Sequence, residues 1–318
     1  MRIWAGFPCP GASPAANPVQ QTTLKHPRSA CVADPRGLTV NDPADATHYL
    51  THIGYYRLSG YALPFQIGGS GADRHNFKRG TTFDQILDRY VFDRKLRLLV
   101  MDAVERIEIS VRAALSNAIA ARHGAHWYLN PRLFSPAFDH ARFVDDIKQQ
   151  IGHAPGNSRR RDIYIEHYYQ TYSTPDMPPC WMIFESLNFG TISFAYMNLA
   201  HPEFVSVCGG YGLPHPVLIS WLHSLNYIRN ICAHHARLWN RECRIKPMIA
   251  RAYKADLTPN ERVYAQLVVM QILLAKIAPG THWAQKLRDL LAEHPAVPIV
   301  SMGFPAGWQT RRIWGLGP

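Results

Sequence analysis

The stretch from Thr82 to about Arg122 reads as one long helix, and it limits what the rest of the chain can build. Thr82 can cap its start, and Gly124 lies just beyond its end. Apolar residues occupy much of its circumference, which predicts a central buried helix. Such a helix must be covered by further layers of structure. Convincing strand alternation is scarce elsewhere in the chain, so those layers are expected to be helices as well. The predicted fold class is all-α.

The remaining punctuation supports that reading. Asp42 to Leu50 reads as a short helix with the Asp42-Pro43 pair at its start. Ile53 to Phe65 is aromatic and turn-rich, and Gly68 to Gly80 is a loop. Further helices are predicted over Arg142 to Ile151, Ile163 to Tyr172 and Trp181 to Leu187, after the break at Pro178-Pro179. Pro214-His215-Pro216 launches another helix. Two more follow near Asn260 to Ala278 and Trp283 to Glu293, and the segment from Pro295 is Gly/Pro-punctuated and irregular. Residues 1 to 24, rich in Pro, Ala and Gly, are expected to be a flexible extension. Residues 25–310 are expected to form one helical domain, and 311–318 a tail.

The charge balance narrows the partners. Thirty-four basic residues face twenty-three acidic ones, leaving a formal charge of +11. That excess favours a polyanion, nucleic acid above all, and says nothing about fold. No apolar run is long enough to span a bilayer, and the N-terminus reaches Gly6 and Pro8 without an apolar core, so neither a membrane partner nor a secretory leader is expected. Six cysteines without CxxC spacing read as reduced thiols in a cytoplasmic protein.

The chemistry concentrates between Asn226 and Arg241. This run holds Arg229, Arg237 and Arg241, His234 and His235, and Asn226, Asn230 and Asn240. From Phe204 to Arg241 there is no Asp or Glu. Bases, cations and amides without an acid suit a phosphodiester handled without a metal or other cofactor. Projected as a helix over 218–241, Trp221, Leu225, Ile228, Cys232 and Trp239 form a core stripe. Asn226, Asn230, His234, Arg237 and Arg241 fall opposite, with His223 beside them and Arg229 on the border. Imidazole can act as base or acid near neutrality. Guanidinium stays charged and grips two phosphate oxygens. One helix supplies only one such set, so two copies facing each other are expected, as a homodimer. The bland reading makes Arg229 a cap for buried carbonyls and His234 a satisfied polar group. A zinc site from Cys232, His234, His235 and Cys243 fits no paired-ligand spacing.

At these residues the chain resembles the Abi-like family of bacterial abortive-infection proteins, the AbiD and AbiF group, over about residues 37 to 310. The similar blocks are Ile53 to Tyr61, Tyr90 to Arg97, Glu105 to Glu108, Pro179 to Trp181 with Glu185, Phe189-Gly190, Arg229 to Arg241, and Met302 to Pro305 with Trp308. The resemblance implies a HEPN-like helical bundle with additional N- and C-terminal helices, whose hallmark Arg-x4-6-His is met by Arg229, Asn230 and His234. It implies a dimeric, metal-independent endoribonuclease of a phage-defence or toxin–antitoxin system, in some relatives controlled by a small non-coding RNA. His234 would then do the acid–base work, Arg229 would stabilise the phosphorane, and Asn230 would orient them. Asn226, Arg237 and Arg241 would contact RNA.

A second polar stripe, Arg94, Arg97, Glu105, Glu108 and Arg112, runs along the long helix. It is read as a paired network that docks helices, although it could also line the cleavage site from below. Tyr55, Tyr56 and Tyr61 with Arg57, and the run Arg159 to Arg161, could contact RNA but read more simply as packing residues and a solvated loop. The rival function is a non-catalytic RNA-binding defence protein that clamps a structured non-coding RNA. Transfer of a nucleotide onto protein would need a Gly-rich phosphate loop, which is not found.

Overall fold

The computed structural model describes residues 36–315. Among them the regular structure is entirely helical, with only isolated β-bridges. The proposed flexible extension, together with Cys9 and Cys31, lies outside the described residues. The chain divides into two compact units. Among the described residues, one comprises 36–94 with 294–297, and the other comprises 95–293 with 298–315.

The first unit opens with α1 (Pro43–Ile53), capped by the Asp42 carboxylate, which accepts from the backbone N–H of Ala44 and Asp45. The aromatic segment expected to be turn-rich is in fact helical, α2 (Tyr55–Ala62), ending in a short 3-10 turn. Gly54, at φ 87, makes the corner between the two helices, a conformation that glycine adopts without a Cβ penalty. Tyr61 is buried and donates to the fully buried Asp93 carboxylate at 2.5 Å, whereas Tyr56 is exposed. Arg89 stacks over the Phe65 ring at 3.8 Å, and His294 pairs with Asp88 at 2.6 Å.

The long helix α3 (Phe83–His123) starts where the sequence placed it. Thr82 Oγ1 accepts from the Gln85 N–H and Gln85 Oε1 accepts from the Thr82 N–H, a reciprocal capping box. Gly124 ends it at φ 81. This helix is not the most enclosed one, since Arg94, Leu98, Glu105 and Ile109 on it face solvent. That role falls to α10 (Val263–Ile277) in the second unit, where every residue from Val263 to Leu274 is buried. A helix that is apolar all round belongs at the centre of a core.

The second unit also contains α4 (His140–Gln150), α5 (Ile163–Thr171), α6 (Cys180–Ser186), α7 (Phe189–Met197), α8 (Glu203–Tyr211), α9 (His215–Ala233) and α11 (Trp283–Glu293), with α9 packed against α10. Helices α7 and α8 went unmarked in the sequence. The segment after Pro298 is less of a tail than expected. It buries Met302, Phe304, Trp308 and Trp314 in the core, and Trp314 Nε1 lies 3.2 Å from Tyr264 Oη. Gly303 is required there: its φ is 90, and a Cβ would stand 2.7 Å from Arg262 Cβ. No described helix is long and apolar enough to cross a membrane.

Candidate functional site

Helix α9 packs along α7, with α8 and α10 also against it. Its buried stripe includes Trp221, Leu225, Ile228 and Cys232, as the periodicity required. The helix stops at Ala233, and the wheel drawn through Arg241 does not hold beyond that point. His234 N–H bonds to Asn230 O, His235 N–H to Cys232 O and Ala236 N–H to Ile231 O, each at 3.0 Å. The last two bonds form a Schellman closure, with His235 in the left-handed position at φ 55. Glycine is the usual residue there; histidine is among the few others that tolerate it. Nothing in the apolar spacing signals this stop, because Leu238 and Trp239 are also buried and keep the pattern going.

The stop separates residues that the wheel had grouped. His234 caps the helix, is exposed, and its ring makes no hydrogen bond or ion pair among the described residues. Arg229 Nη1 lies 3.4 Å from Asn230 Oδ1. Arg237 and Arg241 sit in the turn that follows, half-buried, and Arg241 Nε donates to Arg237 O at 2.8 Å. The chain is then tied back to α9: Trp221 Nε1 donates to Met248 O and Met248 N–H to Ser220 Oγ. The exposed turn therefore has a rigid base.

The acid-free character of the run does not extend to its surroundings. Helix α3 brings Glu108 to Arg229, with Glu108 Oε2 4.0 Å from Arg229 Nε. The same carboxylate accepts from Arg112 Nη2 at 2.6 Å, and Arg112 also donates to the carbonyls of Phe184 and Leu187 at the end of α6. Arg112 thus closes the C-terminus of α6, whose last carbonyls have no partner within the helix. Asp102 and Glu105 join Glu108, Arg112 and Arg229 around a groove of about 560 Å³. Of the five residues read as one network, Glu108 and Arg112 pair directly and Arg97 is buried. Arg94 and Glu105 are exposed.

On the other side of α9, Asn226 and His223 line a pocket of about 500 Å³ with residues of α7. Asn226 was expected to contact RNA and His223 to stand beside it; of the α7 wall, the sequence had marked only Gly190. Burial raises the thiol pKa of Cys180, and that of Cys243 to about 11, which keeps both protonated. No group of three or more His, Cys, Asp or Glu among the described residues is placed to hold a metal ion.

Among the described residues the fold is all-α, with an exposed histidine, an arginine and an amide near one helix end. Comparison with known families makes the assignment. The model of the Abi-like protein family matches residues 48–240, and the chain belongs to that family. Searches of curated proteins and of solved structures returned no match.

Proposed function

We propose that this protein is a metal-independent endoribonuclease of the HEPN type, acting in abortive infection or a toxin–antitoxin system. The observation that carries the reading is the exposed, uncommitted His234 ring one helical turn beyond the Arg229–Asn230 contact. Membership of the Abi-like family supports the biological setting.

In this reading an imidazole takes the proton of a ribose 2′-hydroxyl, and the 2′-oxygen bonds to the adjacent phosphorus. The bond from phosphorus to the 5′-oxygen breaks, and an acid returns a proton to that oxygen. The products are a 2′,3′-cyclic phosphate and a 5′-hydroxyl. Arg229 stabilises the charged phosphorane, and Asn230 holds Arg229 in place. The Glu108 carboxylate stands 4.0 Å from the buried Arg229 Nε without hydrogen-bonding it, while a third of the Arg229 side chain stays exposed. Arg237 and Arg241 border the path of the strand. Each chain carries one His234 and one Arg229, so a homodimer supplies both acid and base.

The test is cleavage of RNA in EDTA by wild type and by His234→Ala, with end-group analysis. Cyclic phosphate ends made by wild type alone support the reading. Equal cleavage by both proteins, or none by wild type on any RNA offered, overturns it. The second reading, an RNA clamp without catalysis, rests on the net charge of +11. It predicts salt-sensitive binding that His234→Ala leaves intact.

A further inference from the structure

We propose that the pocket between α7 and α9 takes an unpaired nucleobase of the RNA strand and gives the enzyme its base preference. The proposal rests on the nuclease reading and names a specificity site for it.

The pocket is lined by Asn188, Thr191, Ser193, Phe194, His223 and Asn226, among others. No Lys, Arg, Asp or Glu lines it, so a phosphate would find no fixed counter-charge there. Amides and hydroxyls facing an aromatic ring suit a flat, uncharged, polar-edged ligand. A nucleobase splayed from a single strand has that chemistry. The volume, about 500 Å³, is ample for one.

The walls are held in place. Asn188 Nδ2 donates to Gln150 Oε1 at 2.7 Å, and Asn188 Oδ1 accepts from the Thr191 N–H at 3.0 Å. Gln150 Nε2 donates to Thr191 Oγ1 at 2.8 Å. Phe194 is 46% exposed, and its ring is braced by Phe138 at 5.4 Å. An exposed ring fixed in this way is a stacking platform. The Asn226 amide makes no hydrogen bond to a described residue, so it can read a base edge. Gly190 keeps the space open: a Cβ there would lie 3.0 Å from Asn188 Oδ1 and 3.4 Å from Asn226 Nδ2.

The pocket also lies along the strand's path to the cleavage residues. Ile219, His223, Asn226 and Asn230 fall within about 60° of arc on α9. Asn226 stands about 6 Å along the axis from Asn230 and about 12 Å from His234. A base seated here belongs to a nucleotide close to the scissile one.

The experiment measures binding of fluorescent single-stranded A, C, G and U oligonucleotides, and of an abasic strand of equal length, to the full-length His234→Ala protein. One base is expected to exceed the weakest base and the abasic strand by about tenfold. Asn226→Leu and Phe194→Ala in that background should reduce the preference to about twofold, and Phe194→Tyr should restore it. Equal binding of the abasic strand, or a preference unchanged in correctly folded variants, overturns the pocket. Because the probe protein cannot cleave, the two ideas fail separately. Preference with no wild-type cleavage sinks the nuclease alone, and cleavage without preference sinks the pocket alone.

Discussion

Glu108 faces Arg229 across a 4.0 Å gap while its other oxygen holds Arg112 at 2.6 Å. The side chains of the Glu108–Arg112 pair are only about a tenth exposed, so desolvation is severe and each partner depends on the other. Arg112→Ala leaves that carboxylate short of a partner and opens the end of α6. It should cost about 3–5 kcal/mol in urea unfolding. Glu108→Gln keeps the shape and an acceptor for Arg112 but frees Arg229. It is expected to stay folded and to cleave RNA about tenfold more slowly, a loss of about 1.4 kcal/mol in transition-state stabilisation.

The two adjacent histidines should separate cleanly by mutation. His235 closes the helix at φ 55, so glycine there should keep the helix end closed and retain cleavage. Valine at 235 should lose about 1–2 kcal/mol, because a β-branched residue resists that conformation. His234→Ala should melt like wild type and not cleave. Thermal melts paired with a cleavage assay check all three.

His215 introduces a pH dependence. It lies stacked on Phe204 at 3.7 Å with Nε2 buried, and burial holds its pKa below the usual imidazole range. The unfolded chain therefore binds a proton that the folded chain refuses. Its contribution to stability is complete above the ordinary value and is lost as pH falls through the lowered one. Melting temperatures of wild type and His215→Phe between about pH 7 and pH 5 should diverge, with the variant falling less steeply.

Arg241 braces the turn through Arg237 O, so Arg241→Ala should lower stability as well as binding. Arg237→Ala should weaken single-stranded RNA of every sequence alike. It should reduce the slope of log affinity against log salt by about 0.7 if one phosphate contact is lost. Titrations at several salt concentrations measure this directly.

Much of the fold was legible because long helices carry their own boundary signals. Thr82 and Gly124 bracket α3, and α11 runs from Trp283 to Glu293 as its periodicity required. Helices α7 and α8 were not legible: α7 has apolar residues around most of its circumference, and α8 carries Gly209-Gly210 in its last turn. The end of α9 was missed because buried Leu238 and Trp239 continue the apolar rhythm through a turn that only the backbone reveals. Glu108 could be read as a neighbour of Arg112, four residues along one helix. Its approach to Arg229 joins residues far apart in sequence, which no local pattern encodes.

The central claim is tested most directly by incubating single-stranded RNA in EDTA with wild type, Arg229→Ala and His234→Ala and determining the product ends. Wild type should leave 2′,3′-cyclic phosphate ends, and either variant should lose at least about 100-fold in rate. Full activity in both correctly folded variants would contradict the claim.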